Sequence, residues 1–161
     1  MSIPQFVRVC EMGPRDGLQN EDEIVSTGDK VRYIDLLSET GLTLIEATSF
    51  VSPKAIPQLA DAAEVFTRIK KRPGVRYPVL TPNLRGLERA KEAGASAIAV
   101  FTAASEEFTK RNINMTIDQA LQFIISCGVV LPPHQLVVEG TSPVVASPAP
   151  PAPSEKKNYK K

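Results

Sequence analysis

Phe6-Val7-Arg8-Val9-Cys10-Glu11-Met12-Gly13-Pro14-Arg15-Asp16-Gly17-Leu18-Gln19-Asn20-Glu21 is the stretch that decides the fold. Residues 6–12 read as a short apolar strand. Gly13, Pro14 and Gly17 then break the chain into a loop that carries an arginine and an aspartate side by side. Parallel α/β proteins keep their chemistry where a strand gives way to such a loop.

The pattern repeats along the chain. Asp29 is a plausible N-cap for a helix with Val31, Ile34 and Leu37 on one face and Tyr33 at its margin, stopped by Gly41. Leu44–Thr48 reads as a second strand, followed by a loop with Ser52-Pro53-Lys54 and a helix over 59–70. Tyr77–Leu80 is expected as a third strand, with a helix from Leu84 to Ala93 closed by Gly94. Ala97–Phe101 is expected as a fourth strand. A turn or short helix then covers Ser105–Arg111, and a last helix runs from Ile117 to about Cys127 behind Thr116 or Asp118 as cap. Four βα repeats imply right-handed crossovers and a parallel sheet. The strands do not alternate strictly, as expected when both faces are covered. No GxGxxG follows the first strand, which disfavours a dinucleotide-binding sheet. Polar residues at every strand end (Arg15 and Asp16, Glu46 and Thr48, Thr81 and Asn83, Thr102) favour barrel organisation instead.

Composition narrows the function. The chain has 161 residues, 42% hydrophobic and 23% charged, with a net charge of +1. That is the profile of a soluble globular protein with no electrostatic case for nucleic acid or an anionic membrane. No apolar run is long enough to span a bilayer. The strand beginning within a few residues of Met1 leaves no room for a leader, so a cytoplasmic location is expected. Cys10 and Cys127 are unpatterned, and the only histidine is His134. Cys10 reads as core packing, and neither cysteine marks a disulfide framework or zinc site. Half of the 14 prolines lie after Leu131. Residues 1–127 are therefore read as one domain and 128–161 as a Pro/Ala/Ser-rich tail, disordered from about residue 140 onward.

Four segments together resemble the hydroxymethylglutaryl-CoA lyase family of metal-dependent lyases. They are Glu11–Glu21, Ile45-Glu46-Ala47-Thr48-Ser49-Phe50-Val51-Ser52-Pro53-Lys54, Tyr77–Leu84, and Ala104–Phe108 with Asn112-Ile113-Asn114. The resemblance covers roughly residues 6–123. It implies the N-terminal half, about four βα units, of a (β/α)8 TIM barrel, which when complete takes about 200 to 250 residues. The family's later Gly-Cys-Pro segment, His-x-His motif, glycine-rich cysteine loop and metal-binding asparagine are not found, so a frameshift or truncation near residue 123 is expected. The implied reaction is retro-aldol cleavage of 3-hydroxy-3-methylglutaryl-CoA to acetyl-CoA and acetoacetate, in leucine breakdown and ketone-body formation. The implied cofactor is Mg2+ or Mn2+, weakly held or absent in this chain, and negligible activity is expected of the chain alone.

The resemblance assigns Asp16 as metal ligand and Arg15 as the catalytic, substrate-binding guanidinium, whose fixed charge suits an enolate oxygen. Glu46 joins the catalytic set by orienting Arg15 or the metal's shell. Gln19 is the weaker substrate-binding candidate. Lys54 and Asn83 belong to loops expected around the acyl-CoA. Bland readings stand beside these: Asp16 as a turn cap, Arg15 in an ion pair with Glu11 or Glu46, Gln19 as a loop-ordering residue, Lys54 as a solvated lysine. Two other functions compete. One is an acyl-CoA condensing synthase of the isopropylmalate or homocitrate type. The other is a non-catalytic half-barrel that self-associates through open sheet edges.

Overall fold

The computed structural model describes residues 5–127. Five helices and three short strands alternate along them: α1 (Thr27–Leu37), β1 (Thr48–Ser49), α2 (Ala62–Arg68), β2 (Val79–Leu80), α3 (Leu84–Glu92), β3 (Ile98–Ala99), α4 (Glu106–Ile113) and α5 (Ile117–Ser126). The sheet order is β1-β2-β3, parallel throughout.

Ladder bonding reaches beyond the strands themselves. Residues 43–50 run extended against 76–80, with Arg76 N–H on Thr43 O, Ile45 N–H on Arg76 O, Ala47 N–H on Pro78 O and Phe50 N–H on Leu80 O. On the opposite side, Glu11 donates to Leu44 O (3.0 Å) and accepts from Glu46 N–H (2.8 Å). Four βα units are therefore present in the expected order. The expected first strand is reduced to a single bridge between Glu11 and Ile45. Phe6, Val7 and Val9 stand exposed. Their apolar side chains are what made the segment read as a strand, yet a strand needs a paired neighbour as well as composition.

Alternation along 44–48 decides which side chains face the helices. Ile45 and Ala47 join Val79, Tyr77, Ile34, Val65, Phe66 and Ile69 in the core cluster between sheet and helices. Glu46 and Thr48 therefore belong to the other face.

Helix ends follow local chemistry. Ser26, not Asp29, is the N-cap of α1, its Oγ accepting Asp29 N–H while its hydroxyl donates to Asp29 Oδ2. Thr116 caps α5 in a reciprocal box with Gln119. The helix expected over 59–70 divides into a 3-10 turn at Pro57–Leu59 and α2, and the turn after β3 is a full two-turn helix, α4. The expected C-terminal tail and His134 lie outside the described residues.

One polar cluster fastens the first two βα loops together. Lys30, only 3% exposed, bonds Gln58 O and Asp61 Oδ1. Thr27 donates to the other Asp61 oxygen. Gln58 in turn takes Val25 N–H (2.9 Å) and donates to Glu23 O (2.7 Å), satisfying the loop backbone as a neighbouring strand would.

Candidate active site

Gly13–Gly17 forms a single π-helical turn. The Met12 carbonyl collects the N–H groups of Arg15, Asp16 and Gly17 at 3.1, 2.7 and 3.3 Å. Such wide turns recur at functional sites. Glu11 fixes the start of the turn, its Oε1 accepting Gly13 N–H at 2.6 Å. A Cβ on Gly13 would lie 2.4 Å from the Tyr33 hydroxyl and 2.7 Å from Glu11 Oε1, so a larger residue here must push one of those side-chain tips aside. Burial and the Glu11 charge push the Tyr33 phenol upward.

The turn delivers Arg15 between two carboxylates. Its Nε donates to Glu46 Oε1 at 2.5 Å and its Nη1 to Asp16 Oδ1 at 2.6 Å. Glu46 is 2% exposed, Arg15 13% and Asp16 57%. Burial lifts the Glu46 carboxyl above its ordinary range, against the opposing pull of the Arg15 charge and hydrogen bond. Arg15, Asp16 and Glu46 are thus in one cluster at the end of the sheet. Of the two partners open to Arg15 on sequence grounds, Glu46 takes the guanidinium and Glu11 takes a backbone amide. Burial, with Glu46 beside it, likewise raises the Cys10 thiol. Cys10 is half-buried and not sealed in the core, and both cysteines are free.

The remaining candidates separate from this cluster. Gln19 lies half-buried just past the turn, while Asn20 rather than Gln19 ties the loop, donating to Asp16 O. Lys54 is exposed. Asn83 is occupied as the N-cap of α3, its Oδ1 accepting Gly86 N–H. Among the described residues no group of three or more His, Cys, Asp or Glu is placed to hold a metal ion. Asp16, already bonded to Arg15, is one carboxylate where a hard cation wants six or so oxygens. Among the described residues Asp16 by itself is an incomplete shell for a cation. The bonds of Glu11, Lys30, Gln58 and Asp61 escaped sequence reasoning. Only the Glu11-x-Gly13 spacing next to a turn carried any signal.

The profile of the HMGL-like family matches residues 6–130. The chain belongs to the HMGL-like family. Among its relatives, the mitochondrial hydroxymethylglutaryl-CoA lyase of Gallus gallus is 60% identical over 121 residues, 75% of this chain and 41% of its own length. The cytoplasmic 3-hydroxy-3-methylglutaryl-CoA lyase of Mus musculus is 57% identical over 119 residues, 74% of this chain and 35% of its own. The HMG-CoA lyase of Bacillus subtilis superposes with a TM-score of 0.75 at 46% identity, covering 80% of this chain and 43% of that one. The HMG-CoA lyase of Acinetobacter baumannii, solved with coenzyme A and 3-methylmalate, gives a TM-score of 0.71 at 44% identity, covering 74% of this chain and 39% of that one. This HMGL-like chain therefore spans about two-fifths of the length of the relatives it matches. Its sheet is an arc of the TIM barrel those lyases share. Relatives named for mitochondria and for the cytoplasm both occur. No helix among the described residues is long and apolar enough to cross a membrane.

Proposed function

We propose that this chain carries the enolate-binding part of a lyase site for 3-hydroxy-3-methylglutaryl-CoA, within leucine breakdown and ketone-body formation. The observation that carries the reading is Arg15 gripped by Glu46 and Asp16 with its Nη2 amino group unspent among the described residues. In the reaction the tertiary hydroxyl loses its proton and becomes the ketone of acetoacetate. The carbon–carbon bond breaks, and its electron pair passes into the thioester as an enolate. Protonation of that enolate gives acetyl-CoA. A fixed guanidinium next to the thioester oxygen stabilises the charge as it develops, because its donors need no reorganisation. Glu46 positions Arg15: with Nε on Glu46 and Nη1 on Asp16, the Nη2 amino group is left for the substrate. Gln19, one residue-pair beyond the turn, is assigned to the substrate's acyl end.

A divalent cation, Mg2+ or Mn2+, would lower the pKa of the substrate hydroxyl. Asp16 is the residue assigned to it, and a lone carboxylate makes that binding weak in this chain. A cytoplasmic location and association of copies through the sheet edges complete the reading.

Two assays test it. The 161-residue chain with Mg2+ or Mn2+ is expected to release no acetoacetate above background. Residues 6–127 grafted in place of the matching segment of the Gallus gallus lyase are expected to sustain cleavage. Arg15→Gln in that chimera should lower kcat about 10²- to 10³-fold. A folded but inactive chimera would overturn the reading, and one that condenses acyl-CoA without cleaving would favour a synthase.

A further inference from the structure

Helix α3 reaches back to the strand before its own. Asn83, its N-cap, fixes where the helix starts, and Gly86 and Arg89 follow on one face, three residues apart. Both meet the chain just after β1. A Cβ on Gly86 would lie 2.8 Å from the Phe50 carbonyl, so the helix sits against that backbone with no side chain between them. Arg89, half-buried, lies over the Phe50 ring, 5.5 Å from its centroid, while its Nη1 donates to Val51 O at 3.1 Å. Phe50 is itself buried, and its N–H is spent on Leu80 O. One guanidinium thus grips an aromatic face and the next carbonyl together. That needs a flat fork on a long stem, and a lysine ammonium has no flat face for the stack.

Val51 opens the loop that leads to α2. The far end of that loop is tied as well, through Gln58, to Glu23 O and Val25 N–H of the preceding unit. Between these anchors the segment turns on itself, Ala55 and Ile56 N–H both returning to Ser52 O, and Ser52, Pro53 and Lys54 face solvent. The loop leaves β1 in the direction in which the Gly13–Gly17 turn leaves the parallel Glu11 bridge. A lysine on an ordered loop beside that turn suits the phosphate-bearing arm of an acyl-CoA. We propose that Arg89 is a positioning residue for that substrate: by pinning Val51 it orders the 51–57 loop in advance, so that Lys54 need not be ordered on binding. The inference rests on the acyl-CoA reading above and names the residue that holds the loop. Contacts remote from the reacting bond serve ground state and transition state alike, so their loss shows in KM and not in kcat.

Limited trypsin digestion of the full chain reads the loop directly, because Lys54 is its exposed cleavage point. Arg89→Met keeps a long stem and loses the guanidinium. It should quicken cleavage after Lys54 about fivefold, the local opening allowed by one lost hydrogen bond, with cleavage after Arg32 in α1 unchanged. In the chimera the same substitution should raise KM for the acyl-CoA about fivefold at unchanged kcat. Arg89→Lys, which keeps the charge, should recover part of both effects. Unchanged cleavage after Lys54 overturns the proposal, and so does equal acceleration after Arg32, which would make Arg89 a support of the whole fold. A fall in kcat at unchanged KM overturns it too. An inactive chimera would end the lyase reading, while the digestion would still decide whether Arg89 holds the loop.

Discussion

A carboxylate as buried as Glu46 is costly unless paired, and its burial, outweighing the pull of Arg15, sets how the site responds to pH. The folded pKa lies above the ordinary 4.5. The folded protein therefore holds that proton more tightly than the unfolded chain does. The resulting stability is complete below 4.5 and is lost as pH rises through the folded value. Melting temperature against pH should contain a component that declines above 4.5, and Glu46→Gln, which keeps an acceptor for Arg15 Nε, should lack it. Identical slopes for the two proteins would contradict the burial argument. Arg15, Asp16 and Glu46 were legible in the sequence because strand ends fix where side chains meet. The Glu11 bond to Gly13 was not, because it depends on the width of a turn that residue types alone do not set. Gly13→Ala must displace Tyr33 or Glu11 from atoms now 2.4 and 2.7 Å from its Cβ position. A change in Tyr33 fluorescence would report it.

Among the elements, α3 sets a glycine hard against the backbone that follows β1. A Cβ on Gly86 would sit 2.8 Å from the Phe50 carbonyl, which is backbone and cannot swing away. Gly86→Ala should destabilise by about 1 to 3 kcal/mol in urea unfolding. Gly17→Ala, with nothing within 4 Å of its Cβ, should lose far less. Thr116→Ala removes one half of the α5 capping box and should cost about 1 kcal/mol in the same measurement. Helix existence and order were readable from apolar spacing. Helix starts moved by two or three residues because Ser26 caps through its hydroxyl, and because Pro57 holds a 3-10 turn ahead of α2.

For the molecule as a whole, the Lys30–Asp61–Gln58 cluster holds the first two units in register. Lys30→Met strands the Asp61 carboxylate and should lower stability by about 3 kcal/mol. Lys30→Met with Asp61→Leu should recover much of that loss in denaturant melts. The cluster was invisible in the sequence because its partners lie 28 to 35 positions apart. The barrel arc was visible because every strand ends in a polar residue. The shrinking of the first strand to one bridge was not, because pairing is a property of neighbours.

Glu11 joins three things at once: its N–H and carbonyl anchor the N-terminal segment to residues 44 and 46, and its carboxylate secures the turn that bears Arg15. Tension applied ahead of Cys10 thus travels through one residue to the guanidinium. Two ladder bonds lie along that route, and the second of them belongs to the amide of Glu46 itself. Mechanically, the chain's leading end is a lever on the arginine.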